Sequence, residues 1–248
     1  MAAEHIIKSY DEELSRLSKM IVEMGGLAES QLAAAIEAVI KRDSELAARV
    51  IEGDEQVDQL ERDLDNLAIR LLALRQPMAR DLREIVAALK IASDLERVCD
   101  YAANVAKRSI ALTQSPPIQP VHALPRMAHL ALLLIKDVID AYVERDADKA
   151  IVVWNADKEL DEMYSSLFRE FLTYMMEDPR NIGACTHLLF MAKNIERIGD
   201  HATNIAENLY YLVHGTPLTL ARPKGDASNH ELVAHDRPHS QPGQPAAQ

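Results

Sequence analysis

The sequence predicts an all-α protein built from two consecutive copies of a three-helix unit. Its 248 residues include only 8 Gly and 3 Phe, while Ala, Leu, Ile, Glu and Arg are abundant, and this composition favours helix over sheet. Apolar residues recur at helical spacing along most of the chain. The phrase ERVCDYAANVA at residues 96–106 also returns as ERIGDHATNIA at residues 196–206, one hundred positions later.

The first half of the chain is expected to form three helices. Their apolar spacing places them at about residues 4–42, 53–74 and 81–112. The adjacent Gly25 and Gly26 allow a kink in the first helix, and Pro77 stops the second. Asp81 is expected to cap the third helix, with Glu84 answering it in a capping box.

The second half repeats this order after a proline-rich linker at residues 114–123. Helices are expected at about residues 124–145, 147–176 and 181–214, and Asn181 stands where the first copy has Asp81. The predicted units are therefore residues 1–113 and 124–215. Residues 216–248 lack an apolar period and are expected to form a disordered tail, whose His230, His235 and His239 fit an unstructured extension better than a weak metal site.

Composition and charge exclude several classes of function. A formal net charge of −12 disfavours direct binding to nucleic acid and to anionic membrane surfaces. The longest apolar run, at residues 130–135, is far shorter than the roughly 18–20 residues that span a bilayer, so membrane association must go through another protein. The isolated Cys99 and Cys185 and the absence of a signal-peptide pattern favour the cytoplasm.

Pairs of carboxylates four residues apart are the chemical feature that the repeat carries. Residues at this spacing project side by side from a helix. Each unit has one pair in its third helix and another in the helix before it. The four pairs are Asp54 with Asp58, Glu96 with Asp100, Asp157 with Asp161, and Glu196 with Asp200.

Counting from the turn prolines places the pairs of each unit at one height. Asp58 lies nineteen residues before Pro77 and Glu96 lies nineteen after it, and the second unit gives equal heights to within about a residue. Antiparallel helices with equal counts bring such residues abreast. We therefore expect four carboxylates to meet on an outer wall of each hairpin, where they repel each other unless a positive group lies among them.

A divalent or multinuclear metal is the expected positive group. Oxygen ligands suit Mg²⁺ and Mn²⁺, and carboxylates also bridge iron or zinc. Asn104 and Asn204, one turn further along, are candidates to supply amide oxygens or to orient the ligands. Two other interpretations stay open: the acids form an ordinary solvated face opposite the core, or Arg97, Arg197 or nearby lysines neutralise them.

Nothing in the sequence argues for catalysis. Di-iron carboxylate bundles use Glu-x-x-His, and the only histidine with an acid three residues before it is His239 in the tail. His201 is expected to pack at the surface or between helices, and Cys99, which aligns with Gly199, to be a small packing residue. P-loop, GxGxxG, GxSxG and HExxH motifs are absent. A metal-free scaffold and, more remotely, a carboxylate-bridged metalloenzyme are the alternatives to a metal-binding adaptor.

The motifs resemble those of the PhoU family, accessory regulators of bacterial phosphate transport. The resemblance spans about residues 5–215 and rests on the doubled Asp-x-x-x-Asp, the doubled ER-aliphatic-x-D-x-A-x-N-aliphatic-A, and RQPMARDLR at residues 75–83. It implies a tandem of two three-helix bundles, usually dimeric, with metal bound at the acidic pairs. In the second unit the turn reads DPRNI at residues 178–182, so a partner contact made by Asp-Leu-Arg would belong to the first unit alone.

The resemblance also implies a role carried by interaction. When phosphate is plentiful, such proteins bridge the ATPase subunit of the phosphate ABC transporter and the membrane sensor histidine kinase. They restrain uptake and keep the phosphate-starvation response off. The implied location is the cytoplasm, or the inner face of the membrane through these partners.

Overall fold

Six long α-helices make up most of the computed structural model, which describes residues 2–118 and 123–219. In the described ranges there is no β-strand, so the predicted all-α class is confirmed. The helices are α1 Ala2–Lys41, α2 Ser44–Arg75, α3 Arg80–Thr113, α4 Leu124–Glu144, α5 Ala147–Glu177 and α6 Ile182–His214. Residues 119–122 of the predicted linker and the predicted tail beyond residue 219, with its three histidines, lie outside the described residues.

The second helix begins at Ser44, earlier than the predicted start at Gly53. Asp43 is the residue before it, and its Oδ1 accepts hydrogen bonds from the backbone N–H groups of Glu45 at 3.0 Å and Leu46 at 2.9 Å. This side chain satisfies amide groups that the first turn of a helix leaves unpaired. Ala47 and Val50 extend the buried face of α2 upstream of Val57, and the cap fixes the start of the helix at Ser44.

The capping box predicted for the third helix is wrong. Ala79 precedes α3 with φ 46° and ψ −99°, and no side chain caps the helix. Asp81 lies inside the first turn, and Glu84 forms an ion pair with Arg145 instead of turning back to the helix start. In the second unit Asn181 likewise makes no capping hydrogen bond, because the 3₁₀ turn Pro179–Asn181 precedes α6 and Asp178 caps that turn.

The two units pack as three-helix bundles that share one apolar core. Helices α1, α2 and α3 contact each other, as do α4, α5 and α6, while α3 packs on α6 and α1 on α4 across the junction. Close approach at the junction depends on Gly25, where an added Cβ would lie 2.8 Å from Ile139 Cγ1. Among the helices of the described ranges, none is long and apolar enough to cross a membrane.

Candidate functional site

The four carboxylates of the first unit come together between α2 and α3. Asp54 and Asp58 on α2, and Glu96 and Asp100 on α3, are all half-buried. Burial raises the pKa of Asp54, and the Asp100 and Asp58 carboxylates raise it further. The effect of the Asp100 carboxylate on the pKa of Asp54 agrees with the equal heights that the residue counts give these two residues.

Glu96 is the most perturbed member of this cluster. Burial, followed by repulsion from Asp100, raises its pKa from 4.5 to about 7, although the Arg97 guanidinium opposes the rise. Arg97 lies 3.5 Å from Glu96 Oε2 and donates to Asp100 Oδ2 at 3.0 Å. This arginine therefore neutralises part of the cluster from its exposed side, as one of the interpretations open at the sequence level proposed.

Glu61 is a fifth acid of the cluster and is not among the predicted site residues. It lies on α2 less than one turn beyond Asp58, and its charge contributes to the raised pKa of Glu96. Burial and the Asp65 carboxylate raise the pKa of Glu61 itself. The available signal was its i+3 spacing from Asp58, which places both on adjoining positions of the same helix face.

Cys99 is buried directly behind the first cluster. Burial raises the pKa of its thiol, and the four carboxylates of the cluster add to that effect, Asp54 most of all. The thiol is therefore protonated and unreactive. The predicted packing role agrees with this environment.

The corresponding cluster of the second unit does not lie on an outer wall. Asp157 is 1 % exposed, and Asp161 and Glu196 are each 5 % exposed, whereas Asp200 is half-buried. The expectation that both clusters face solvent is thus wrong for this unit. Three of its four carboxylates lie in the contact between α5 and α6.

Gly199 is the structural reason for this difference. An added Cβ at Gly199 would lie 2.4 Å from Asp157 Oδ1 and 2.4 Å from Leu160 Cδ2. Because the residue lacks a side chain, α5 packs directly against the backbone of α6 and covers Asp157. In the first unit the equivalent position holds the buried side chain of Cys99, and Asp54 stays half-exposed.

Glu196 is held by a lysine on its own helix. Lys193 Nζ donates to Glu196 Oε1 at 2.8 Å and lies 4.8 Å from the centre of the Tyr164 ring. Within the described part of the chain, Glu196 Oε2 is buried without a hydrogen-bond partner. Burial raises the pKa of Glu196, and the Asp200 and Asp161 carboxylates add to this rise while Lys193 opposes it.

Hydrogen bonds join α3 and α6 at the junction of the two units, and they are made by His201, Arg197 and Asn204 of α6. His201 Nδ1 lies 2.8 Å from Asp94 Oδ1, and Asn204 Nδ2 donates to the same oxygen at 3.2 Å. Arg197 Nη1 donates to Tyr101 Oη at 3.4 Å, across the contact between α3 and α6. Through Nδ2, Asn204 therefore contacts Asp94 of the first unit, and His201 packs between helices, one of its two predicted positions.

The donor set suits a hard divalent cation, but the ligands are not assembled for one. The first cluster supplies only carboxylate oxygens, as Mg²⁺ and Mn²⁺ prefer. In residues 2–118 and 123–219, no three His, Cys, Asp or Glu side chains converge closely enough to hold a metal ion. The metal ligation assigned to Asp54, Asp58, Glu96, Asp100, Asp157, Asp161, Glu196 and Asp200 stays a prediction.

Fold and site together define the class: a duplicated all-α protein with a cluster of four carboxylates in each copy. The sequence pattern of the PhoU domain matches residues 21–109 and again residues 124–209. The chain therefore belongs to the PhoU family.

Relatives from other bacteria agree with this assignment. The chain is 53 % identical over 224 residues to a phosphate-specific transport system accessory protein PhoU homolog from Caulobacter vibrioides, covering 90 % of this chain and 97 % of that protein. A homolog of the same name from Rhizobium meliloti is 51 % identical over 92 % of this chain and 97 % of its own length. PhoU-named proteins from distinct bacteria thus match nearly the whole described chain.

Solved structures show the same fold. The crystal structure of PhoU from Pseudomonas aeruginosa matches with a TM-score of 0.80 and 41 % identity, covering 84 % of this chain and 100 % of that one. The phosphate transport system regulatory protein PhoU from Streptococcus pneumoniae matches with a TM-score of 0.79 and 30 % identity, covering 85 % of this chain and 100 % of that one.

Proposed function

We propose that this protein is a non-enzymatic regulator of phosphate uptake and phosphate-starvation signalling. It bridges the ATPase subunit of the phosphate ABC transporter and the sensor histidine kinase, and it represses the response when phosphate is sufficient. The observation that supports this proposal is the match to relatives named phosphate-specific transport system accessory proteins at 51–53 % identity over at least 90 % of the chain.

The architecture suits a role carried by contact. Helices of 21 to 40 residues expose long polar faces, and several large apolar side chains reach solvent at the hairpin turns. We propose that the protein works as a homodimer in the cytoplasm and meets the membrane only through its partners.

Two assays test this role. Deletion of the gene should raise phosphate-responsive transcription and phosphate uptake in phosphate-replete medium, and the purified protein should bind the transporter ATPase subunit and the cytoplasmic part of the sensor kinase. Unchanged transcription after deletion, with no binding to either protein, would remove the basis for the proposal.

We also propose that a divalent or multinuclear metal, of the Mg, Mn, Fe or Zn type, binds at the acidic clusters. Asp54, Asp58, Glu96 and Asp100 would hold it in the first unit, and Asp157, Asp161, Glu196 and Asp200 in the second. The raised pKa of Glu96 supports this proposal, because crowded carboxylates gain most from a nearby cation. The bound ion would supply positive charge, and the carboxylate side chains would move toward it.

One observation favours a second candidate, a metal-free helical scaffold. The described residues hold no converged set of three ligands, and Arg97 and Lys193 already neutralise part of each cluster. Elemental analysis of untagged protein separates the two candidates. A Glu96→Gln/Asp100→Asn variant should lose the metal of the first unit, whereas the matched control Asp137→Asn/Asp140→Asn, which removes two exposed charges on α4, should retain the wild-type metal content. Equal metal content in all three proteins would count against the first site, and an absence of metal from the wild type would favour the scaffold.

A further inference from the structure

The turn between α2 and α3 carries an apolar surface that no contact in the described structure covers. Met78 is 80 % exposed, Leu74 is 69 % exposed and Leu82 is 41 % exposed. They lie at the end of α2, in the turn and in the first turn of α3. We call this set, together with Arg70 and Arg80, the first turn surface.

The backbone of this turn is strained. Gln76 and Ala79 have φ of 48° and 46°, the left-handed region that residues with a Cβ avoid. Ala79 combines this φ with ψ −99°, and α3 has no side-chain cap to offset the strain. A strained turn that exposes the Met78 side chain to solvent does not stabilise the fold, and such strain is typical of functional sites.

The charge of the first turn surface is opposite to that of the protein. Residues 69–83 contain four arginines and one aspartate, a net charge of +3 on a chain of net −12. Arg75 pairs with Glu13, and the Arg83 guanidinium lies against Gly215 at the end of α6. Arg70 and Arg80 are exposed and frame the apolar side chains.

The equivalent turn of the second unit differs in charge. Met176 is 84 % exposed there, so the apolar tip is similar. Residues 172–183 hold two carboxylates and one arginine, a net charge of −1, and Arg180 pairs with Asp178 at 2.7 Å. Both turns therefore expose apolar side chains beside arginine, but the first turn has a net positive charge, whereas the second has a net negative charge and its exposed Arg180 is paired with Asp178.

We propose that the first turn surface docks a partner protein through an apolar pocket rimmed by carboxylates. Met78 and Leu74 would enter the pocket, while Arg70 and Arg80 would meet the acidic rim and fix the orientation. A protein occupant is favoured over an anionic lipid surface because the remaining chain is strongly acidic and because Asp81 follows Arg80 directly at the start of α3. The inference rests on the proposed function, which supplies the proteins with which it is tested.

The test measures binding of the full-length protein to the purified transporter ATPase subunit and to the cytoplasmic part of the sensor kinase. Two variants alter the surface by different means, Met78→Glu and Arg80→Glu, and Met176→Glu is the matched control in the second turn. All three residues are exposed, so circular dichroism and thermal melting should match those of the wild type. Both first-turn variants should weaken binding to at least one partner by about tenfold or more, with the control within about twofold.

Each of the following outcomes overturns the proposed docking surface. They differ in whether the proposed function is also overturned. If the wild type binds and both first-turn variants bind equally well, the docking surface is wrong but the proposed function stands. If the wild type binds neither protein, both proposals fall. An equal loss with Met176→Glu removes the distinction between the turns. Binding of the wild type to phosphatidylglycerol vesicles that Met78→Glu abolishes would assign the surface to lipid.

Discussion

Replacing Gly199 with alanine tests the explanation for the buried second cluster. The added Cβ would lie 2.4 Å from both Asp157 Oδ1 and Leu160 Cδ2, about 1 Å closer than ordinary van der Waals contact. Both neighbours are side-chain atoms, but Asp157 is 1 % exposed and Leu160 is fully buried, so neither has open space to enter. Relief requires a changed rotamer of Leu160 or a shift of α5.

Two opposing free energies decide the outcome. Alanine in the interior of a helix is about 1 kcal/mol more favourable than glycine. Overpacking a well-packed core costs about 1–3 kcal/mol, and displacement of a buried carboxylate adds to that cost. We expect Gly199→Ala to lower the free energy of unfolding by about 1–2 kcal/mol.

The chain offers a matched control for this substitution. Gly26 lies inside α1, and an added Cβ there meets nothing within 4 Å. Gly26→Ala should therefore raise the free energy of unfolding by about 0.5–1 kcal/mol, from helix propensity alone. The two variants carry the same chemical change and should move in opposite directions.

Urea denaturation at pH 7.5 with EDTA present, followed by circular dichroism, measures both effects. Truncation of the clashing neighbour adds a coupling test, because the cost of Gly199→Ala should shrink in a Leu160→Ala background. If Gly199→Ala is as stable as the wild type, or if the two substitutions are additive, close packing of α5 on Gly199 is not what buries Asp157.

The remaining predictions concern the first cluster and the strained turn. Since the pKa of Glu96 rises from 4.5 to about 7 on folding, the folded state holds the proton more tightly, and stability is lost as pH rises through this window. In EDTA, Glu96→Gln should match the stability of the wild type near pH 4.5 and exceed it by about 1–2 kcal/mol at pH 8. This difference is smaller than the full pKa shift implies because solvent still reaches the side chain. A difference that stays constant from pH 4.5 to pH 8 would contradict the raised pKa of Glu96. Ala79→Gly should raise the free energy of unfolding by about 0.5–1 kcal/mol by relieving φ 46°, whereas Ala73→Gly, exposed within α2, should lower it by about 1 kcal/mol. Urea titrations check both, and destabilisation by Ala79→Gly would show that the turn is not strained.

Helix number and order followed from the sequence because apolar spacing and proline turns act locally. The boundaries were less accurate where a cap decided them. The start of α2 depends on the Asp43 side chain, and the start of α3 on a turn conformation that alanine rarely adopts. Asp81 and Glu84 have the spacing of a capping box, but Glu84 contacts Arg145 of the other unit, a residue that no local pattern connects with it.

The sequence by itself determined the duplicated helical order, the pairing of acids at i and i+4, and their shared height in each hairpin, since helix geometry converts residue counts into positions. Only the tertiary structure decided how deeply each set is buried. The depth depends on how closely neighbouring helices approach each other. That distance is set by the size of the side chain at the contact between the two helices. Cys99 leaves the first cluster half-exposed, whereas Gly199 lets α5 cover the second.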